Sequence, residues 1–488
     1  MAIDYVSTDT AAFFAAKSDK TPQMELLWGD RVQVLDTAGA RARVRARGRE
    51  GYVKKSDLGG TSLLELYVID VGQGDGLLIR TPDDRHILLD GGYMRAMQDT
   101  NKNAADFVDW KFVKDYGRTR IELDAVIASH NDADHYGGLW DLLNAAEEAE
   151  LDATGVSVEA FYHAGVSWWQ SSSGRTLGET TKIGGETFLR QLLGDRASAV
   201  AALGGSGPQL QGQWRDFIEC VTKTKRKNGT PTSIRRLSHA TAYLPGFEPS
   251  PGQVAIRVLA PVEFGTTATP LLRRFTSQDS INTNGNSVLL RLDYGRARLL
   301  LTGDLNSASQ QALLQDYVGE RQELQCDVAK ACHHGSADVS YEFLQALHPA
   351  VTVISSGDNE GHDHPRPNIV AASATTGFLK IENDRLLSPL VYSTELARSV
   401  RLGRTQKLLL SGTAVADSDF KQAIVECKVT KPGDLKPKTE QLRLAQRRMV
   451  AGLIYGLVNI RTDGNRILCA TLDESDATWR CETVTSRF

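Results

Sequence analysis

The chain has 488 residues, of which 41% are apolar and 24% are charged, with a formal net charge of −4. This composition is typical of a globular protein and excludes an intrinsically disordered chain. A mildly acidic chain offers no overall attraction to a polyanion, so any contact with nucleic acid must be local. At this length two or three domains are expected.

Neither a membrane segment nor a disulfide framework is indicated. The sequence contains no apolar run of about 18 residues, and its start, MAIDYVSTDT, lacks the basic and apolar stretches of a signal peptide. The six cysteines form no CxxC pair, which argues against a zinc ribbon. We therefore expect a cytoplasmic protein with reduced cysteines and no membrane contact.

The first 60 residues predict a small all-β barrel, because residues 24–58 alternate apolar and polar positions between glycine-containing turns. The order Leu-Trp-Gly-Asp-x-Val-x-Val-Leu, followed by Gly51-Tyr52-Val53, resembles bacterial Src-homology-3-like domains. Such a module would either bind a protein partner or only pack against its neighbour.

From Leu63 onwards, apolar strands alternate with helical periodicity, which predicts sheets covered by helices, an α/β domain over residues 63–395. Polar, glycine-rich sequence at about 165–280 predicts an insertion beside the site. Residues 396–488 predict a C-terminal α+β accessory region. It would hold an amphipathic helix over 439–457 and a hairpin with Asp463-Gly464 at its turn.

The strongest chemical signal is the segment at residues 130–135, His-Asn-Asp-Ala-Asp-His, which directly follows a predicted strand. We call this segment the metal loop. A loop that leaves a strand end can direct alternate side chains at one cavity, so His130 and Asp132 would serve one metal, and Asp134 and His135 another. A helix cap would need one such residue and not four.

Three later clusters also follow predicted strands. They are Thr302-Gly303-Asp304, Cys332-His333-His334-Gly335-Ser336 and Gly361-His362-Asp363-His364-Pro365. A carboxylate at a buried strand end can bridge two cations, and paired histidines offer neutral nitrogen ligands. His163 is either a ligand or a neutral neighbour, whereas His86, His239 and His348 are expected to be structural or solvated.

Taken in order, these clusters resemble the metallo-β-lactamase superfamily, and within it the hydrolase domain of the competence protein ComEC. The resemblance spans roughly residues 63–375 and rests on the metal loop, the first two of the later clusters and four further motifs. Those motifs are Asp70-Val71-Gly72-Gln73-Gly74-Asp75, Leu89-Asp90-Gly91-Gly92, Asn286-Ser287 and the His364-Pro365 pair.

The resemblance implies an αββα sandwich with two divalent metal ions, Zn²⁺ or Mn²⁺, between the sheet edges. It implies ligands at His130, Asp132, Asp134, His135, Asp304 and one of the paired histidines, of which His334 is favoured. Asp90 resembles the aspartate that steadies the metal loop from behind. The superfamily's commonest loop has histidine in place of Asp132, and this harder oxygen ligand shifts preference towards Mn²⁺.

The predicted function is a phosphodiesterase or nuclease that uses a hydroxide held between the two metals. Asp134 would orient the attacking water, and His364 or His333 would protonate the leaving oxygen. Asn286 and Ser336 would hold phosphate oxygens, or only form turns.

The predicted substrate is a phosphoester, and basic residues support DNA or RNA if they track phosphates and are not only solvated surface. They are Lys223, Lys225, Arg226, Lys227, Arg235, Arg236, Arg443, Arg447 and Arg448. Two alternatives stay open, a hydrolase of a small phosphoester such as a cyclic nucleotide and a metal-stabilised binding protein.

Overall fold

The computed structural model describes residues 2–98, 100–357, 364–394, 400–429, 438–446, 448–452, 456–473 and 477–488. The chain divides into two compact units, Met1–Ala397 with Ile454–Phe488, and Arg398–Leu453. The first unit contains both large sheets. No helix in the described ranges is long and apolar enough to cross a lipid bilayer.

A nine-stranded sheet, the first sheet, begins at the strand from the predicted insertion and ends at the C-terminal strands. In spatial order its strands are Ser233–Arg236, Val156–His163, Ile121–Ala128, His86–Gly91, Gly76–Arg80, Leu64–Ile69, Leu457–Thr462, Arg466–Asp473 and Thr478–Thr485. The strands ending at 91, 128 and 163 run parallel, so their carboxyl ends meet at one edge.

A six-stranded sheet, the second sheet, faces the first. Its strands are Ala255–Ala260, Leu289–Tyr294, Ala297–Leu301, Val328–Lys330, Val351–Ile354 and Leu390–Ser393. The last four run parallel, which again brings carboxyl ends together at 301, 330 and 354. Chain connections at such ends are the usual place for sites in α/β proteins.

Successive side chains of each strand point to opposite faces of its sheet, and this alternation determines which cluster each side chain packs in. Leu64, Leu66 and Val68 pack in one buried cluster with Leu290 and Leu299 of the second sheet. The intervening side chains of the first sheet, such as Tyr67, face the other way into a cluster of helices. A further cluster covers the outer face of the second sheet. The order helix, sheet, sheet, helix confirms the predicted αββα class.

The helices of the first unit cover the outer faces or lie in the predicted insertion. Their bounds are Ala104–Trp110, Ala133–Leu143, Arg196–Gly204, Gly212–Lys223, Asp279–Gly285, Ser307–Asp316, Tyr341–Leu347 and Pro367–Thr376. The predicted insertion also holds the short strands Trp169–Ser171, Gly174–Thr176, Thr180–Ile183, Glu186–Leu189, Glu263–Thr266 and Thr269–Arg273. Through Ser233–Arg236 and Ala255–Ala260 it further supplies an edge strand to each large sheet.

The N-terminal residues form the predicted small β module around a separate apolar cluster. Its strands are Ala2–Tyr5, Thr10–Phe13, Met24–Leu27, Arg31–Asp36, Arg41–Ala46 and Arg49–Lys54. Four of them form one sheet and two form a hairpin. Its likeness to Src-homology-3-like domains and the proposed domain boundary at residue 60 stay predictions.

A buried ion pair joins this module to the first sheet. Arg461 is fully buried, and its guanidinium lies 2.8 Å from Asp30 Oδ1 and donates to the Trp28 carbonyl. Arg47 pairs with the other oxygen of Asp30 at 2.7 Å. Burial alone would raise the pKa of Asp30, but the two guanidiniums hold it well below its usual range. Each buried charge therefore depends on the others.

The C-terminal part of the chain corrects one prediction. The hairpin is confirmed, with Leu457–Thr462 paired to Arg466–Asp473, and both strands extend the first sheet. The helix expected over 439–457 is wrong, because Lys438–Arg443 pairs as a strand with Ile424–Val429. Two glycines in that stretch disfavour a helix.

In its described residues, the second unit is built from short strands, one short α-helix and the 3-10 turn Leu444–Gln446. Its elements are Val400–Arg404, Leu409–Leu410, Thr413–Ala414, Asp417–Gln422, Ile424–Val429, Lys438–Arg443 and Arg448–Gly452, of which Asp417–Gln422 is the helix. The strands pair as three antiparallel couples.

We predict that Asp30→Asn lowers the melting temperature strongly, because it leaves Arg461 buried without its counter-charge, at a cost of about 3–5 kcal/mol. Glu50→Gln is the matched control, since Glu50 pairs with Arg43 and Arg45 on the surface of the same module. We expect little change from it. Thermal melting of both variants checks this, and equal melting temperatures would contradict the role of the buried pair.

Candidate metal centre

The metal loop leads from the strand Ile121–Ala128 into the helix Ala133–Leu143, whose first turn contains Asp134 and His135. That helix packs directly on the backbone of His86–Gly91, the neighbouring strand in the first sheet. A Cβ at Gly138 would stand 2.0 Å from the Gly91 carbonyl oxygen, and one at Gly74 would stand 1.9 Å from the Asp134 carbonyl oxygen. These close approaches require glycine, and they fix the loop against the sheet.

One group of candidate ligand atoms comes from both sheets. His130, His135 and Asp304 each offer an atom within 4.8 Å of the others. The Nε2 atoms of both histidines are buried without a hydrogen-bond partner, and His135 Nε2 lies 3.2 Å from Asp304 Oδ2. Buried polar atoms that face one another without a hydrogen-bond partner require a cation or a proton between them.

A second group overlaps the first, since it contains Asp134, His135 and His334. His334 Nε2 lies 3.0 Å from Asp304 Oδ2 and 3.8 Å from Asp134 Oδ2. Asp304 Oδ2 therefore lies between the Nε2 atoms of His135 and His334, the position expected of a bridging carboxylate. The structure thus brings together His130, Asp134, His135, Asp304 and His334.

The backbone is strained where ligands leave the second sheet. His333 and His334 both have positive φ angles, +48° and +52°, and Asp90 in the first sheet has +58°. Side chains other than glycine rarely adopt this region, at a cost of about 1–3 kcal/mol each, and such strain concentrates at functional sites.

Asp90 has the position that the sequence predicted for it behind the metal loop. Its Oδ2 accepts from His135 Nδ1 at 2.9 Å, and its Oδ1 accepts from the Ser129 backbone N–H at 2.7 Å. The first contact fixes the tautomer of His135 and leaves Nε2 to face Asp304.

Asp75 and Lys330 lie behind His334, the candidate ligand from the second sheet. Neither residue was assigned a role from the sequence. His334 Nδ1 lies 3.2 Å from Asp75 Oδ1, and Lys330 forms a short ion pair with Asp75. Lys330 Nζ also lies 3.7 Å from Asp304 Oδ1. The available signal was a lysine inside the apolar strand DVAKA, where a buried charge requires a partner.

The buried carboxylates beside His135 and His334 favour the positively charged form of these histidines. Burial alone would lower the pKa of His334, but Asp304 and Asp75 raise it to about 10. Burial likewise disfavours charged His135, yet Asp304 and Asp90 hold its pKa well above the usual range. Metal ions supply that charge without protonating the ligands, so these residues fit a divalent metal centre.

Asp132 and His163 lie outside the groups of converging ligand atoms found among the described residues. Asp132 Oδ2 is 3.7 Å from His130 Nε2 and accepts from Thr283 Oγ1 at 3.0 Å. Burial, with Asp134 nearby, raises the pKa of Asp132 to about 7. His163 is buried between aromatic rings, and its Nδ1 accepts from the Gly165 N–H. Burial lowers the pKa of His163 to about 3.

A cavity of about 840 Å³, the central cavity, opens beside these ligands. Its lining includes Asp132, Asp134, Asp304, His333, His334 and His364, together with Gln73, Tyr93, Asn131, Tyr136, Trp168, Arg175, Gln211, Trp214 and Asn284. The rings of His333 and His364 lie 5.8 Å apart at their centroids. His362 and Asp363 lie outside the described residues.

The two predicted phosphate-holding residues have the contacts of turn residues. Asn286 is buried, and its Nδ2 donates to the carbonyls of Arg273 and Asn282. Ser336 Oγ accepts from the Asp338 backbone N–H. Neither lines the central cavity, whereas Asn131, Trp168 and Arg175, which sequence reasoning missed, do.

Several of the predicted basic residues are paired with carboxylates. Lys223 pairs with Glu219 at 2.8 Å, Lys227 with Glu122 at 2.8 Å, and Arg236 with Glu263 at 2.5 Å. None of the predicted basic residues lines the central cavity in the part of the chain that the structure describes. Arg447 lies outside the described residues.

Residues 69–204 match the sequence profile of the metallo-beta-lactamase superfamily. Over 93 residues the chain is 31% identical to ComE operon protein 3 of Bacillus subtilis (strain 168) and 38% identical to competence protein ComA of Neisseria gonorrhoeae. Each match covers 19% of this chain and 12% or 13% of the relative. The matched region thus spans about an eighth of the length of these relatives.

Two solved structures are similar at a lower level. Igni18, a novel metallo hydrolase from Ignicoccus hospitalis KIN4/I, covers 65% of this chain and 95% of its own, with 10% identity and a TM-score of 0.31. Tm1679, a metal-dependent hydrolase of the beta-lactamase superfamily, covers 68% and 95%, with 11% identity and a TM-score of 0.31.

We predict that Mn²⁺ or Zn²⁺ raises the melting temperature of metal-free protein, by the equivalent of about 2.7 kcal/mol at a hundredfold excess over Kd. His135→Ala should abolish this stabilisation, because His135 belongs to both groups of converging ligand atoms described above. The control is His348→Asn, since His348 ends the helix Tyr341–Leu347 with a positive φ that asparagine tolerates. Equal melting with and without metal would contradict a metal centre.

Proposed function

We propose that the chain is a metal-dependent hydrolase that cleaves phosphodiesters with two divalent cations. The observation that carries this proposal is Asp304 Oδ2, which lies between two histidine nitrogens, one from each converging group of ligand atoms. Asp304 belongs to the first group, and its Oδ2 also lies 3.0 Å from His334 Nε2 of the second. A carboxylate that serves both groups suits a pair of cations better than one.

His130, His135 and Asp304 would hold one ion, and Asp134, His334 and Asp304 the other. Bound there, the ions would lower the pKa of water and neutralise charge on the phosphate in the transition state. Asp132, 3.7 Å from His130 Nε2, adds an oxygen donor to the first position. Carboxylate oxygen is a ligand type that suits Mn²⁺, whereas the general order of metal affinities places Zn²⁺ above Mn²⁺. Both ions are therefore candidates.

Side chains around the cavity supply the remaining chemistry. Asp134 accepts a hydrogen bond from Gln73 Nε2 at 3.3 Å, which orients its carboxylate to accept a proton from the attacking water. His333 and His364 line the same cavity and are the candidates to protonate the leaving oxygen. Burial lowers the pKa of His333, which makes its protonated ring a stronger acid and also reduces the protonated fraction at neutral pH.

For the substrate, we favour a nucleic acid. The relative from Neisseria gonorrhoeae is a competence protein by name, which fits the handling of nucleic acid. The second candidate is a small phosphoester such as a cyclic nucleotide, because about 840 Å³ is a volume typical of small-molecule sites. A binding protein without catalysis is disfavoured, since buried, unpartnered ligand atoms are costly to keep for binding alone.

We predict that Asp304→Asn lowers phosphodiesterase activity by roughly 10²-fold or more, because it removes the charge placed between two cations. The fold should survive, since the strand Ala297–Leu301 is held by its buried leucines. Turnover of bis(p-nitrophenyl) phosphate, metal content and thermal melting are measured together. Asp152→Asn, at an exposed carboxylate, is the control.

Near-parental turnover of the Asp304→Asn variant with both metals bound would contradict the two-cation mechanism. The parent is also offered single-stranded DNA, RNA and cyclic nucleotides with Mn²⁺ and Zn²⁺ side by side. Preference for the polymers supports the nucleic-acid substrate, and preference for cyclic nucleotides supports the second candidate.

A further inference from the structure

We propose that Arg175 binds a second, non-scissile phosphate of a single-stranded nucleic acid while another phosphate of the same strand occupies the metal centre. This inference rests on the proposed function and names the part of the substrate that the site would bind besides the scissile phosphate. It is carried by Arg175, Trp168 and Asn131, which form a chain of contacts leading from the metal loop to the mouth of the central cavity.

Arg175 differs from every other lining residue in charge. It is the only lysine or arginine that lines the central cavity within the described ranges, where the charged neighbours other than histidine are aspartates. It is exposed, and it forms no ion pair with a carboxylate in the part of the chain that is described. A guanidinium without a carboxylate partner beside a phosphodiesterase site is available to a phosphate.

Trp168 fixes the guanidinium in place. The Arg175 Cζ atom lies 4.0 Å from the centroid of the Trp168 ring, within the range of a cation–π contact. Trp168 is itself buried, with 7% of its surface exposed, and its Nε1 donates to the Asn131 carbonyl at 3.1 Å. Arg175 is therefore held at a set distance from the metal loop, which lowers the entropy lost when it binds a ligand.

Asn131 gives a second, independent sign of a ligand. It lies between His130 and Asp132, has 1% of its surface exposed, and lines the central cavity. Neither Oδ1 nor Nδ2 of its side chain has a hydrogen-bond partner in the structure. Buried amides are normally satisfied, so polar groups of a bound substrate are the expected partners.

The geometry favours a second phosphate over the scissile one. Arg175 forms no ion pair with the candidate metal-binding carboxylates among the described residues; it lies over the face of the Trp168 ring, whose edge bonds to the metal loop through Nε1. A substrate with one phosphate would leave Arg175 unused, whereas a strand carries further phosphates on both sides of the cleaved bond. The hairpin Trp169–Ser171 with Gly174–Thr176 presents Arg175 opposite Gln170, beside that path.

Arg175→Gln tests the inference, with Lys182→Gln, an exposed lysine on the neighbouring strand Thr180–Ile183, as control. The probe is a labelled single-stranded octadeoxynucleotide, compared with bis(p-nitrophenyl) phosphate and a cyclic nucleotide, all with Mn²⁺. We expect the variant to raise KM for the oligonucleotide roughly tenfold. The dependence of log kcat/KM on log salt should lose about 0.7 in slope. With the two single-phosphate substrates, the increase in KM should be several times smaller.

An unchanged KM and salt slope overturns the inference, and so does an equal loss with all three substrates, which would place Arg175 on the scissile phosphate. An equal effect of Lys182→Gln also overturns it, because it would indicate general surface charge. If the parent cleaves none of the substrates, the proposed function fails, and fluorescence anisotropy of the intact oligonucleotide gives Kd and salt slope in place of KM. A parent that does not bind the oligonucleotide overturns the inference as well.

Discussion

The carboxylate of Asp304 is buried where the carboxyl ends of two sheets meet, and a buried negative charge must be compensated. One oxygen lies 3.2 Å from His135 Nε2, which comes from the first sheet, and 3.0 Å from His334 Nε2, which comes from the second. The other lies 3.7 Å from Lys330. The apolar layer between the sheets fixes the distance at which these groups meet. The position of the candidate metal centre is therefore a consequence of how the two sheets pack.

Two aspartates lie behind these histidines, and both come from the first sheet, Asp90 from the strand His86–Gly91 and Asp75 from the connection before Gly76–Arg80. Asp90 accepts a hydrogen bond from His135 Nδ1, whereas His334 Nδ1 lies 3.2 Å from Asp75 Oδ1 and 3.3 Å from the Ser355 carbonyl oxygen. Both arrangements leave Nε2 pointing at Asp304, so the ligands are oriented before any cation binds. The left-handed backbone at His333 and His334 opposes folding, and the ion pairs of His334 offset that cost. Strain of this kind is kept where orientation of a ligand depends on it.

Much of this could be predicted from the sequence, because apolar strands followed directly by ligand-type residues place those residues at one sheet edge. The metal loop, Asp304 and His334 meet as that pattern requires. The pattern could not place Asn286 or Ser336, since asparagine and serine after a strand serve turns equally well. It also missed Lys330, Trp168 and Arg175, whose roles depend on contacts between distant segments. The helix expected over 439–457 failed because strand pairing within the second unit outweighed its periodicity.

The claim on which the rest depends is that two cations share Asp304. Crystals grown with Mn²⁺ and measured for anomalous scattering test it most directly, because each ion gives its own peak independent of activity. Two peaks are expected, one near His130 and His135 and one near Asp134 and His334, with Asp304 between them. A single peak, or peaks that do not contact Asp304, would contradict the two-cation centre.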